Sequence, residues 1–576
     1  AVVGILQLVE WPLGVLETVS PISAQAWETA SQMVGQPLPK RITVAPGETG
    51  MALRQLFVMA VFFTAIAELS HDHRKAMVLA WVVALVGLVV FIWGLAEWVL
   101  NRDLLLPAQW MRWPFGYKNP MLHPMQTAAF GRSQITTVGS VNYSATYWVV
   151  GDMFGPYLVS NHFAGCLELT FPLFLGLLFT PRVIDQIGAK WSAICLVGLL
   201  GVVLSVIGGG ASARAGVAGI LIGWLWVLWG LSRGHWRVVT GLAFMSAISC
   251  CVILFFVSLF ANRFPLRSNA TFGFAWLLSQ LVSLIGGAEW RTSQWLVCFR
   301  MFRESPWFGL GLGSYAVASP FFTTSNVYTG FAHCDYFQLL AEAGVIGAGL
   351  ILATVGYVAV RISRDRFMFC QKGSALQLGL SGSLVAFLPH GLVDWNLHIP
   401  ANAILFVIVA GLFLGSFFQP KAELVVQFGH LSCWKILRFG VAAFTIVGCL
   451  VCITGAIQHA RNEKDINPLR HALLSYMWPK STLCDSEKQR LLMEALPQGI
   501  SAARREPRNA EYARLVGLAY LHLSRGKDTL ALKEAEEWLM QAVSHSPLSL
   551  SLYSTIAEIR LAQIGSTPRQ SDEQIR

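Results

Sequence analysis

The sequence predicts an all-α, polytopic membrane protein with about eleven transmembrane helices, a large outward-facing loop and a C-terminal helical-repeat domain. Three observations predict it. The 576 residues are 55% hydrophobic and 13% charged, where soluble domains carry roughly a quarter charged residues, and the mean hydropathy is +0.54. The apolar residues gather into uncharged runs of about 20, enough to cross a hydrocarbon core. The hydrophilic breaks between these runs are basic on one side of the resulting bundle, as membrane topology requires.

The apolar runs lie near 1–16, 52–69, 76–99, 161–180, 191–209, 215–231, 237–260, 341–361, 374–392, 399–418 and 436–457. The chain begins at Ala1, without Met, inside the first of them. Further residues, including another span, are expected upstream, so no signal peptide is assigned. The breaks at 71–75, 181–190, 232–237 and 361–372 are basic, and 419–438 mildly so. Counting spans puts all five on one side, which the positive-inside rule makes cytoplasmic. Facing outward are then 17–51, 100–160, the turn around Arg214, 261–340, the turn 390–398 and the tail from about 458. Residues 1–458 form a membrane domain, with 261–340 as its large loop, and 459–576 a second, helical domain. The net charge of +10 belongs to cytoplasmic loops and does not call for nucleic acid. None of the eleven cysteines stands in a CxxC or other metal-ligand spacing. Cys166, Cys195, Cys250, Cys251, Cys449 and Cys452 read as small core residues.

The outward segments are not plain linkers. The 100–160 loop carries Trp110, Trp113, Phe115, Tyr117, Tyr143, Tyr147 and Trp148. Most of these fit an interfacial belt, the alternative being a wall for sugar or lipid. In the tail, apolar residues recur at helical spacing over 510–524 and 529–544. Pro507 and Pro547 mark equivalent points 40 residues apart. The pattern resembles one or two tetratricopeptide units of about 34 residues with a short insertion near 526–529, either continuing beyond this sequence or packing on the membrane domain.

Several polar residues on the outward side could carry chemistry. Asn161 and His162 open a span, and Glu168 lies two turns into it. An ionisable residue there marks a functional site or pairs with a neighbouring Arg or His. Arg214 sits in GGGASARAGVAG, where small residues let a ligand approach, or else it snorkels. Arg291, Arg300 and Arg303 fall on one amphipathic helix, and guanidinium groups take phosphate in bidentate fashion. The GLGLGSY segment at 309–315 follows no strand and opens no Rossmann helix, so it reads as a tight turn. His333, Asp335 and Tyr336 stand just before a span. A neutral imidazole there accepts a proton near pH 7, while the other reading is a capped helix start. His390, Asp394 and His398 share an outer turn, where a hydrogen-bond network is preferred over a metal site.

Taken in order, SNHFAGCLELTFPL, SARAG, WRTSQWLVCFRMFRESPWFGLGLGSY, AHCDYFQLLAEAGVIG and HGLVDWNLHIPAN resemble the O-antigen ligase and polymerase superfamily of bacterial envelope glycosyltransferases. The resemblance covers about 50–420, and the tail is similar to repeat domains appended to such proteins. It implies a multi-pass protein of the bacterial inner membrane, with loop and tail in the periplasm. It also implies an undecaprenyl-pyrophosphate-linked glycan donor and no cofactor or metal. Arg214 and Arg291 would then neutralise the pyrophosphate, and His333 would activate the acceptor hydroxyl. Asn161, His162, Glu168, Asp335, Tyr336, Arg300, His390 and Asp394 would line the substrate site. The superfamily commonly has Asn after that His, whereas this chain has Cys334, which lacks the paired donor and acceptor of an amide.

The expected activity is transfer of the glycan to lipid A core, to another lipid-linked glycan or to a protein hydroxyl, with a ligase or exopolysaccharide polymerase preferred. Envelope assembly proteins are expected partners of the tail, because helical repeats offer extended binding surfaces. The rivals are a glycan or lipid transporter and a scaffold without catalysis. A transporter is expected to carry inverted repeats, and the spans carry no internal repeat. Transfer requires Arg214, Arg291 and His333 to meet in one cavity, within about 15 Å of each other.

Overall fold

A computed structural model describes residues 1–100, 156–157, 160–180, 213–231, 288–323, 329–364, 374–417, 432–477, 483–524 and 528–566, with two short strands and a few isolated positions between. These residues fold into seventeen helices. A two-stranded antiparallel hairpin, β1 (Ile135–Val138) and β2 (Val141–Ser144), pairs Ile135 with Ser144 and Val138 with Val141. The expected spans at 191–209 and 237–260, and most of the aromatic 100–160 loop, lie outside the described residues.

Among the described residues, five helices are long and apolar enough to cross a membrane. They lie within α4 (Pro46–Leu69), α5 (His73–Leu100), α6 (Ser160–Leu178), α10 (Asp335–Arg364) and α12 (Pro400–Phe417). Two more helices are α7 (Arg214–Leu231), whose apolar stretch Ala215–Leu231 is slightly shorter, and α11 (Ser374–His390), of 17 residues. The bundle is built around α6. The apolar window of α6 is 83% buried, against 6% for α4. Phe163, Leu167, Phe171 and Leu175 of α6 pack in one core with Trp224 of α7, Phe387 of α11 and Leu412 of α12.

The first apolar run is not a span. It divides into α1 (Val2–Leu8) and α2 (Leu13–Val19). A seven-residue helix is about 10 Å long, a third of the hydrocarbon thickness. Pro12 starts α2, and the backbone between the two helices pairs with the chain near Arg41. Gln7 is fully buried, and its amide bonds to the carbonyls of Phe308 and Glu342. Counting apolar residues cannot foresee that a glutamine in the run finds partners more than 300 positions away.

α3 (Pro21–Val34) continues this N-terminal segment. The long helix α13 (Ser432–Met477) crosses the expected boundary at 458 unbroken. It leads into α14 (Asp485–Arg505), α15 (Ala510–Ser524), α16 (Thr529–Val543) and α17 (Leu550–Ser566). The periodic stretches read at 510–524 and 529–544 are therefore helices to within one residue. Asp528 caps α16 by accepting from the amides of Leu530 and Ala531. The helical tail does not stand alone: Leu16, Trp27 and Ile42 of the N-terminal segment share a core with Leu532, Leu539 and Ile556.

Where α13 meets α14, His459 Nδ1 lies 3.4 Å from Glu506. This contact raises the His459 pKa above its usual 6.5 and draws Glu506 down to about 2. The His459 contribution is full below 6.5 and is lost as pH rises through its raised value. The Glu506 contribution is full above 4.5 and is lost as pH falls toward 2. The tie is therefore strongest between these two ordinary values. Thermal unfolding is expected to show a modest fall in melting temperature between pH 6 and pH 9 that His459→Gln reduces; an identical pH profile for the variant would remove this assignment.

Candidate active site

The polar residues of the bundle converge at one end, where the N-terminus of α10 meets the turn between α11 and α12. Backbone geometry fixes the junction. Asp335 N donates to the Gly391 carbonyl at 2.8 Å, and the Tyr336 hydroxyl donates to the Leu388 carbonyl at 2.6 Å. His333 has φ 51, the left-handed conformation. Such a conformation is uncommon outside glycine and costs on the order of 1–3 kcal/mol unless its surroundings impose it. Here the imposing contacts are the Asp335 tie on one side and Trp295 Nε1, 3.5 Å from the His333 carbonyl, on the other.

A line of alternating carboxylates and imidazoles runs from the bundle interior to His333. Glu168 and His390 are both fully buried, and His390 Nδ1 lies 3.0 Å from each Glu168 oxygen. Pairing of this kind is how an ionisable residue is accommodated inside a span. His390 Nε2 then lies 3.8 Å from Asp394 Oδ2, and Asp394 Oδ1 lies 3.6 Å from His333 Nδ1. Asp394 also accepts from the Trp395 amide at 2.8 Å. Burial pushes the Asp394 carboxyl up, but the contact with His333 and the charges of His390 and His162 outweigh it and hold it well below the usual carboxylate range. Asp394 is thus a fixed anion facing the imidazole of His333, whose side chain is 17% exposed while that of Asp394 is 3% exposed. An imidazole oriented this way takes up a proton with its positive charge already matched.

A second network braces the first. Asp335 Oδ1 meets His398 Nδ1 at 2.9 Å, and Gln338 Nε2 meets His398 Nε2 at 3.2 Å. The Gln338 carbonyl oxygen accepts from the Ala332 amide, so its amide nitrogen must be the donor toward His398. Assigned from that network, His398 keeps its proton on Nδ1, facing Asp335. Gln338 also donates to Glu342 at 3.1 Å. The Glu342 carboxylate then receives the amides of Gly313 at 2.8 Å and Tyr315 at 3.1 Å.

This is the purpose of the GLGLG segment. Gly309, Gly311 and Gly313 all have positive φ, and the turn wraps the buried end of α10, with Gly311 N donating to the Glu342 carbonyl. α10 itself breaks at Gly344, where φ is 65 and ψ −171. A Cβ there would lie 2.4 Å from the Trp307 backbone, so only glycine admits the crossing chain.

The remaining expected residues divide. His162 packs edge-on to Trp395, with ring centroids 4.6 Å apart, and its carbonyl accepts from Asn402. Asn161 is half-buried beside it at the start of α6. Arg291 is half-buried in the first turn of α8 (Ala288–Glu304), one turn before Trp295 and on the same face, which turns toward His333. Arg300 is nine residues on and so half a turn away. It donates to the Phe322 carbonyl at 2.9 Å, at the end of α9 (Tyr315–Phe322), and has a structural contact away from the line of imidazoles. Arg214 begins α7, and its side chain lies outside the described residues. α7 passes the site about one and a half turns beyond Arg214: the Gly219 backbone abuts the Glu168 carboxylate so closely that a Cβ would sit 2.3 Å from Oε1.

Sequence reasoning missed Gln338, Glu342, Trp395, Asn396 and Asn402. Trp395 stacks on Phe331 with centroids 4.0 Å apart. Asn402 bridges Asn396, the His162 carbonyl and the Tyr157 hydroxyl. A buried polar side chain in an apolar run, as at Asn402, is the signal that was available. Among the described residues no three His, Cys, Asp or Glu side chains group as metal ligands.

Cys334 occupies the N-cap position of α10. Its buried thiol, with its pKa pushed up by burial, receives the amides of Phe337 and Tyr336. Asparagine is among the best residues for this job. The departure at 334 therefore touches helix capping, with the His333–Asp394 contact left in place. Cys334→Asn is expected to raise stability by about 0.5–1 kcal/mol, read as a higher melting temperature; a lower one would place the Asn requirement elsewhere.

No curated protein and no solved structure matches the chain. A family model described as O-antigen ligase matches residues 199–352. That stretch supplies Arg214, Arg291, His333, Asp335 and Glu342, while Glu168, His390 and Asp394 come from outside it. Residues 199–352 are thus similar to an O-antigen ligase domain, which supports the resemblance to the O-antigen ligase superfamily.

Proposed function

We propose that this protein transfers a glycan from undecaprenyl pyrophosphate to an acceptor hydroxyl at the periplasmic face of the bacterial inner membrane. The observation that carries the reading is the pairing of Asp394 with the partly exposed His333. His333 takes the proton of the acceptor hydroxyl as its oxygen attacks the anomeric carbon. The bond from that carbon to the phosphate oxygen breaks, and the lipid pyrophosphate leaves with the electron pair. Asp394 matches the imidazolium charge, and Arg291 and Arg214 match the charge developing on the leaving group. No step is routed through a metal. The basic breaks, which the count of spans along the sequence puts on the other side, support the periplasmic orientation.

Three acceptors fit this chemistry: lipid A core, a second lipid-linked glycan, or a protein Ser or Thr. We favour a ligase or an exopolysaccharide polymerase, with α14–α17 contacting assembly partners in the periplasm. Glycan profiling of a deletion strain complemented with the parent or with His333→Ala tests the reading. Uncapped lipid A core, shortened polymer or unmodified protein identifies the acceptor in turn. An unchanged profile in the deletion strain would exclude all three.

A further inference from the structure

A cleft of about 1740 Å³ lies away from the line of imidazoles, where the N-terminal segment and α9 meet α13 and the helical tail. It is larger than the roughly 300–1,000 Å³ of pockets that hold one small molecule. Its charges do not cancel. Glu511 is held by Arg514 at 2.7 and 2.8 Å, Glu506 by His459 and Asn462, and Arg505 pairs with Asp465. Glu48 and Arg54, which also line the cleft, balance each other in charge, so the guanidinium groups of Arg41 and Arg508 remain, with His545 beside them.

Arg41 and Arg508 crowd one another and the His545 imidazole. Burial, and next the charge of Arg508, lower the Arg41 pKa, with Glu10 opposing them more weakly. Burial, then Arg508 and Arg41, lower that of His545. Arg41 Nε is buried with no hydrogen-bond partner among the described residues. Clustered cations in a recess are unfavourable until an anion enters, and they then attract it strongly.

We infer that this cleft binds an acidic stretch of glycan, and that Arg41 and Arg508, with His545 beside them, hold its carboxylates. The inference rests on the glycan-transfer reading for its choice of ligand. Guanidinium groups match carboxylates in paired hydrogen bonds. The size of the cleft suits several sugar units in a row. The rings of Tyr476 and His522, stacked with centroids 4.8 Å apart, also line the cleft. One edge of the cleft is Gly313, whose amide is held by Glu342. A chain lying there is separated from the His333 network by a single loop.

The test is titration calorimetry on the full-length protein in nanodiscs, with a galacturonate hexamer, a neutral maltohexaose and inorganic pyrophosphate as probes. The acidic hexamer is expected to bind, more weakly as salt rises, and the double variant Arg41→Gln, Arg508→Gln is expected to lose at least tenfold in affinity. The corresponding double lysine variant is expected to recover part of that loss. His333→Ala is expected to bind as the parent does, which separates this site from the transfer reaction: binding without transfer in the parent overturns the catalytic reading alone. Equal binding of maltohexaose overturns the charge argument. Binding of pyrophosphate that the double glutamine variant loses, with none of the hexamer, reassigns the cleft to phosphate. An unchanged affinity in a double variant that melts like the parent removes Arg41 and Arg508 from the site.

Discussion

His333→Ala is expected to lower glycan transfer by about 10²–10⁴-fold, the usual contribution of a positioned general base, while the protein still folds and inserts. The side chain reaches the surface only in part and faces Asp394 at 3.6 Å, so the melting temperature of the variant is measured beside its activity. The loss falls on kcat, because the imidazole acts on a proton that moves only as the acceptor attacks. Asp394→Asn keeps the shape and removes the fixed charge opposite the imidazolium, so its loss is expected to be real but smaller. Both are measured with a fluorescent lipid-linked donor in proteoliposomes. Transfer by His333→Ala within a few-fold of the parent would remove His333 from the chemistry and return the junction to a purely structural role.

The parts of this arrangement that could be read from the sequence share a physical property: their signal is local. The tail helices at Ala510–Ser524 and Thr529–Val543 face water on one side, so burial imposes a 3.6-residue period on the letters themselves. The span containing Glu168 was legible by length, and an ionisable group inside it had to be paired. Its partner was not legible, because His390 is 222 positions away. The same holds for Asp335 and His398, 63 positions apart; in the sequence the histidine stands on one turn and its carboxylate before a different span. Gln7 shows the converse failure. It sits in a run apolar enough to pass for a span, and what keeps the run out of the bundle is tertiary hydrogen bonding that no window of residues contains. Cys334 was marked as a departure, and only the geometry of α10 shows that the position is a helix cap.

Glu342 is where the distance between sequence and structure is widest, and its replacement is expected to have the largest structural effect. In the letters it is one acidic residue in AEAG at the head of an apolar run. In the fold it is a buried acceptor for three donors: the amides of Gly313 and Tyr315 and the side chain of Gln338. Glu342→Ala leaves all three without their acceptor. Each unsatisfied buried donor costs about 1–3 kcal/mol, so a total on the order of 3–5 kcal/mol is expected after partial relaxation. The glycine turn then loses its anchor. Gln338, no longer held from that side, ceases to fix His398 against Asp335, so the junction that carries His333 loosens with it. Glu342→Gln keeps one acceptor oxygen but turns an amide N–H₂ toward donors, and it should fall between the parent and the alanine variant. The order parent, Gln, Ala is expected in thermal unfolding followed by size-exclusion chromatography of detergent-solubilised protein, with transfer declining in the same order. An alanine variant that melts like the parent would show that the glycine turn holds its shape without the carboxylate, and the link drawn from Glu342 through Gln338 to the His333 junction would fail with it.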